Sequence, residues 1–202
     1  MNWRRGVRRR HGERGVAILE MALVAPLLLL LLFGIAEFGV ALTNGNRLES
    51  AVSTAARVAS SSGSNTDADR NVLLSLRASL PANLLANVTR VVVFSSNANG
   101  QINANCTSNS PQTGVGGGTA SSGASSCNIY SGNTLRTITA TTDLGSADDF
   151  WPPSLRRDHL TGPPDYIGVL VTTSSNSITG TYWNTFSYTK RSVYRIQPDI
   201  DG

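Results

Sequence analysis

The stretch GERGVAILEMALVAPLLLLLLFGIAEFG (residues 12–39) runs directly into VALTNGNRLESAVSTAARVAS (residues 40–60). Val16 to Leu42 is 27 residues long and apolar. As a helix it reaches about 40 Å at ~1.5 Å per residue, more than a hydrocarbon core of ~30 Å. No charged residue lies between Glu20 and Glu37, and no second run of this kind exists in the chain. In the following stretch Leu48, Val52, Ala55 and Ala59 recur at i, i+4, i+7 and i+11, one face of a 3.6-residue period. Glu49, Ser53, Thr54 and Arg57 fall on the other faces. One long helix from Val16 to about Ser60 follows, membrane-spanning first and amphipathic afterwards. Pro26 interrupts the spanning half, where it removes a backbone donor and predicts a kink.

The chain carries 17 basic and 13 acidic residues among 202, but the excess is local. Residues 1–15 hold six Arg and one Glu, so the body beyond them is nearly neutral. A near-neutral body argues against a broad nucleic-acid-binding face. The arginines, Arg8, Arg9, Arg10 and Arg14 in particular, border the apolar run and read as a positive-inside signal. That signal predicts a single pass through the cytoplasmic membrane, N-terminus inside and about 160 residues outside. A twin-arginine export signal is a weaker reading of the same residues.

Gly63 and the polar residues around it end the long helix. DRNVLLSLRASLP (69–81) predicts a short helix with Val72, Leu73, Leu76 and Leu80 on one side and Pro81 as its stop. NVTRVVVFSS (87–96), NTLRTITATTD (133–143, through Leu135 and Ile138), DYIGVLVTT (165–173) and SVYRI (192–196) read as strands. FWPPSLRRDHLTGPP (150–164) reads as a proline-bounded loop or short helix. Residues 96–126 are a low-complexity excursion rich in Asn, Ser, Gly and Thr, with too little apolar surface to order itself. No Gly-Lys-Ser/Thr ending turns its glycines into a phosphate loop. Cys106 and Cys127 bracket most of it without metal-type spacing. In an oxidising compartment they would form a disulfide; two unpaired buried thiols are the alternative. The sequons at Asn87 and Asn105 carry no weight, since such triplets are common by chance.

Catalytic chemistry is sparse. His159 stands beside Asp158 in a proline-rich loop, with no Gly-x-Ser-x-Gly elbow to supply a nucleophile. Asp148 and Asp149 have no His or Glu at ligand spacing. Neither an enzyme nor a metal or organic cofactor is indicated. The aromatic segment Tyr182–Tyr188 suits core packing, or an exposed ligand face on a membrane-anchored binding module.

The remaining oddity is Glu20, since a carboxylate at the centre of a membrane helix costs roughly 2.5–3.5 kcal/mol on insertion scales. Gly15 precedes the hydrophobic stretch and Glu20 lies five residues later. With the ALVAPLLLLLLFGIAEFG run and NRLESAVSTAARVAS, this resembles the TadE-like family of pilus-assembly proteins, related to type IV pilins. More loosely, PDYIGVLVTT, TGTYWNTFS and SVYRIQPD look like that family's C-terminal strands. The resemblance implies cleavage by a prepilin peptidase between Gly15 and Val16. Glu20 is then the fifth residue of the mature chain and counter-ion to a neighbouring subunit's Val16 amine. Other pilin-like and Tad machinery proteins, and the membrane, are the implied partners; nucleic acid is not.

Two other readings remain open for these residues. Signal peptidase could cut after Ala41, against which Glu37 and the length of the span both count. Alternatively, Glu20 sits near the interface and no cleavage occurs. The expected architecture is α+β and pilin-like: a basic leader (1–15), a transmembrane and amphipathic helix (16–62), and an extracytoplasmic domain with an antiparallel sheet (63–202).

Overall fold

A computed structural model describes residues 12–102, 106, 127–145, 150–157, 163–176 and 185–197. Helix α1 (Gly12–Ser62) runs through Pro26 and takes in both halves of the opening stretch. The chain divides into two units, Met1–Ala41 and Leu42–Gly202.

In the first unit the apolar side chains from Val16 to Val40 stand outward; Leu23 is 74 % exposed. Aliphatic side chains each gain roughly 1.5–3 kcal/mol by leaving water. A helix of this length and composition can cross a membrane, consistent with a single-pass anchor. Arg8, Arg9 and Arg10 lie outside the described residues.

In the second unit the last turns of α1 bury the expected face, with Leu48, Val52, Ala55 and Ala59 at 0–1 % exposure. Gly63, at φ +49°, ends the helix in the left-handed region that favours glycine. Helix α2 (Ala68–Ser79) buries Val72, Leu73 and Leu76, and its C-cap Leu80 is buried too. A single turn, α3 (Ala82–Ala86), leads into strand β1 (Val88–Ser96). Strand β2 (Cys127–Ser131), helix α4 (Gly132–Thr137), a short 3-10 turn (Pro153–Leu155), and strands β3 (Tyr166–Asn176) and β4 (Thr185–Arg195) follow. The sheet order is β2-β1-β3-β4, with every neighbouring pair antiparallel. The α+β expectation therefore holds.

Alternation along the strands gives the sheet two buried faces. Val91, Val93, Ile167, Val169 and Val171 pack with α1, α2 and α4 residues into the main core. Val92, Phe94, Ile129 and Leu170 form a smaller cluster on the other side with Cys106 and Cys127. Phe94 lies across Gly168, its register partner: a Cβ on Gly168 would come 2.3 Å from Phe94 Cζ. At the open side of β3, strand β4 is tied to α1. Ser53 and Tyr194 share a hydroxyl contact at 3.0 Å, Ser60 Oγ donates to the Arg195 carbonyl at 2.5 Å, and Lys190 Nζ donates to Glu49 Oε2 at 2.9 Å.

Two sequence expectations need correction. NTLRTIT is no strand: Gly132–Thr137 is helical, capped by the Ser131 side chain, which accepts from Thr134 N at 3.1 Å. Leu135 within the helix and Ile138, its C-cap, are both buried. The strand of this region is instead CNIYS, β2. TFSYTK and SVYR, expected as separate pieces, are one continuous strand β4.

Candidate functional site

Two groupings carry polar chemistry against an apolar background, one in each unit. In the first, Val16 and Glu20 stand four residues apart on α1, hence on one face, one turn from each other. Both are exposed, Val16 at 66 %, among exposed Ile18, Leu19, Met21 and Leu23. Gly15 opens this face; a Cβ placed on it would meet nothing within 4 Å. Once such a surface leaves water, an isolated carboxylate in hydrocarbon is costly, so Glu20 calls for a positive partner.

In the second unit, Asp69 at the start of α2 and Arg156 after the 3-10 turn form an ion pair at 2.6 Å, both side chains fully buried. Asn128 Nδ2 and Tyr130 Oη each donate to Asp69 Oδ2 at 2.7 Å. Asn128 also grips Trp151, donating to its carbonyl at 2.9 Å and accepting from its N–H at 2.7 Å. The Arg156 guanidinium sits 4.4 Å from the Trp151 ring centroid and donates to the Trp151 carbonyl at 3.2 Å. Nothing in the sequence marks these residues as a set. The sequence-visible signal would have been Asn128 and Tyr130 alternating with Cys127 and Ile129 along a short strand.

Cys106 and Cys127 are joined in a disulfide with a Cα–Cα distance of 6.0 Å, as expected for an oxidising compartment. Among the described residues, two of the concavities on this unit have a polar lining. One, of about 510 Å³, includes Asn87, Thr89, Asn133 and Arg136; Arg136 already donates to the carbonyls of Ala86 and Val88. The other, of about 470 Å³, includes Thr54, Arg57, Ser61 and Tyr194. There Arg57 Nε donates to Tyr194 Oη at 3.3 Å, which with the Ser53 contact holds the Tyr194 phenol below its ordinary range. Among the described residues, neither concavity is lined by a histidine, cysteine or carboxylate. Among the described residues no group of three or more His, Cys, Asp or Glu is placed to hold a metal ion. Asp148, Asp149, Asp158, His159, Tyr182 and Trp183 lie outside the described residues. Of the aromatic segment, Phe186 and Tyr188 are half-buried and stack at 6.4 Å, and Tyr188 packs against the main core.

The outward apolar helix, with Gly15 at its head and Glu20 inside it, finds its counterpart among known families. Residues 15–57 match the family model of TadE-like proteins. The TadE-like segment begins at Gly15 and ends at Arg57, so it takes in both the apolar face and the first turns of the buried amphipathic one. At family level this supports a protein associated with Tad-type pili. Neither the curated proteins nor the solved structures compared with the chain gave a match.

Proposed function

We propose that this chain is a pilin-like subunit or assembly factor of a tight-adherence pilus. It is held in the cytoplasmic membrane by α1, with its N-terminus inside and its α+β domain outside. The reading is structural rather than enzymatic. The observation that carries it is the TadE-like match, which starts at Gly15 and includes Glu20 within the exposed apolar face. A prepilin peptidase cuts between Gly15 and Val16, and the basic leader, with Arg8, Arg9, Arg10 and Arg14, stays on the cytoplasmic side. Cutting there creates an ammonium at Val16, one helical turn from Glu20.

Within one chain these charges share a face; between chains they supply register. An ammonium and a carboxylate buried separately in hydrocarbon are each costly, whereas paired they are tolerated. Glu20 of one subunit therefore accepts the Val16 amine of the next as their apolar helices pack. Other pilin-like and Tad machinery proteins are the partners.

Mass spectrometry of the mature protein tests this. The expected chain starts at Val16, Gly15→Leu blocks processing, and Glu20→Gln leaves processing intact while assembly fails. A mature chain starting at Met1 or near Leu42 would overturn the cleavage, and normal pili from Glu20→Gln would overturn the pairing.

A further inference from the structure

Strand β2 carries different chemistry on its two faces. Cys127, its first residue, pairs in register with Phe94 and is bridged to Cys106; with Ile129 it belongs to the smaller apolar cluster. Asn128 and Tyr130, pointing the opposite way, deliver two donors to Asp69 Oδ2 and tie down the backbone of Trp151. Arg156 depends on the same arrangement. Among the described residues its Nε and Nη1 make no hydrogen bond, so it is held by Asp69, the Trp151 carbonyl and the Trp151 ring. The buried ion pair thus has its surroundings completed by a strand of five residues at the edge of the sheet. As an edge strand, β2 pairs along one side only, with β1. The 30 residues separating β2 from β1 are dominated by Asn, Ser, Gly and Thr, which offer little apolar surface to hold it.

We propose that the Cys106–Cys127 disulfide is a latch: forming it seats β2, and seating β2 completes the buried Asp69–Arg156–Trp151 cluster on the opposite face of the sheet. Oxidation of the two thiols is then the step that finishes the domain core. The co-reactant is the disulfide of a thiol–disulfide oxidoreductase or a small-molecule disulfide. One cysteine thiolate attacks that disulfide and expels the first thiolate. The second cysteine thiolate attacks the mixed disulfide and expels the other. Two protons and two electrons leave the protein, and the oxidant departs as two thiols. In the closed domain both cysteines are at most 2 % exposed, so the exchange runs in either direction only while β2 is open. The latch and the charge cluster are thereby coupled, and the coupling is reciprocal.

Hydrogen exchange of the full chain in detergent micelles tests the latch, comparing the oxidised wild type with the double variant Cys106→Ala/Cys127→Ala. The expected result is exchange at least about tenfold faster in residues 127–131 and 150–157, with β3 changed less than about twofold. Unchanged exchange at 150–157 would overturn the coupling. So would equal acceleration in β3, because the bridge would then support the whole domain rather than a latch. In the reciprocal arm, Asp69→Asn is introduced into the oxidised chain and reduction by dithiothreitol is followed by thiol alkylation. Reduction at least about tenfold faster than wild type is expected; an unchanged rate would refute the link from the charge cluster to the disulfide.

Discussion

The two halves of α1 invert the usual expectation about which residues go inside. The leucine-rich half is exposed, from Val16 at 66 % to Leu42 at 53 %, whereas the alanine-rich half is buried, with Ala55, Ala56 and Ala59 at 0 %. Hydrophobicity alone does not separate them; pattern and size do. An all-round apolar surface offers no face to distinguish and needs an apolar surrounding on every side. A stripe of small residues is buried in the core it shares with the strands, and alanine loses no side-chain entropy there. One half is shaped by a medium and the other by a partner surface.

The strongest way to break this contrast is to exchange the logic of the halves. Ala55→Leu adds volume where the packing is closed, and overpacking of this sort costs typically 1–3 kcal/mol. Leu28→Ala removes volume where the side chain is 53 % exposed, and is expected to change the domain's stability by less than about 0.5 kcal/mol. Chemical unfolding of the full chain in detergent, followed by near-ultraviolet circular dichroism, measures both. Equal losses would show that the two halves are not energetically distinct.

The contrast also explains what could be read from the sequence. Leu48, Val52, Ala55 and Ala59 were legible because a helix repeats its buried positions locally, and β1 and β3 were legible as dense β-branched runs. NTLRTIT misled because its threonines carry strand propensity, while the Ser131 cap favours a helix. Strand β2 was hidden at the end of a low-complexity stretch, with only five residues to announce it. Gly15, Val16 and Glu20 stand within six residues of one another, so the resemblance to the TadE-like family that draws attention to them is local. Asp69, Asn128, Trp151 and Arg156 could not be singled out, since only the chain topology brings their separate segments together. A local motif is written in spacing; a buried network is written in the fold.

A smaller effect sharpens the boundary of the buried half. Lys190 and Glu49 pair at 2.9 Å across α1 and β4, but their side chains are 35 % and 64 % exposed. Screened, flexible pairs of this kind contribute about 0.2–1 kcal/mol. Lys190→Ala is expected to fall in that range and to lose its effect in high salt, read from denaturant midpoints at two ionic strengths. A loss as large as that of Ala55→Leu would mean that the ion pair, not the alanine stripe, fixes α1 against β4.

The finest contrast lies between two tyrosines of β4. The Arg57 hydrogen bond, helped by Ser53, lowers the Tyr194 pKa below its ordinary value, whereas burial raises that of Tyr188. The signs oppose. For Tyr194 the folded value is depressed, so the interaction with Arg57 gains strength as pH rises through that value and is fully present above the unfolded value of about 10. For Tyr188 the folded state resists ionisation, so its contribution turns against folding once pH exceeds the unfolded value. Phenolate absorbance during an alkaline titration should show Tyr194 ionising before Tyr188. Tyr194→Phe should remove the earlier step and leave the later one, and Arg57→Gln should move the earlier step upward toward about 10. A Tyr194 step that stays in place without Arg57 would mean that this cation does not set the charge of the phenol, and that the end of the buried half is held by Ser53 and Ser60 instead.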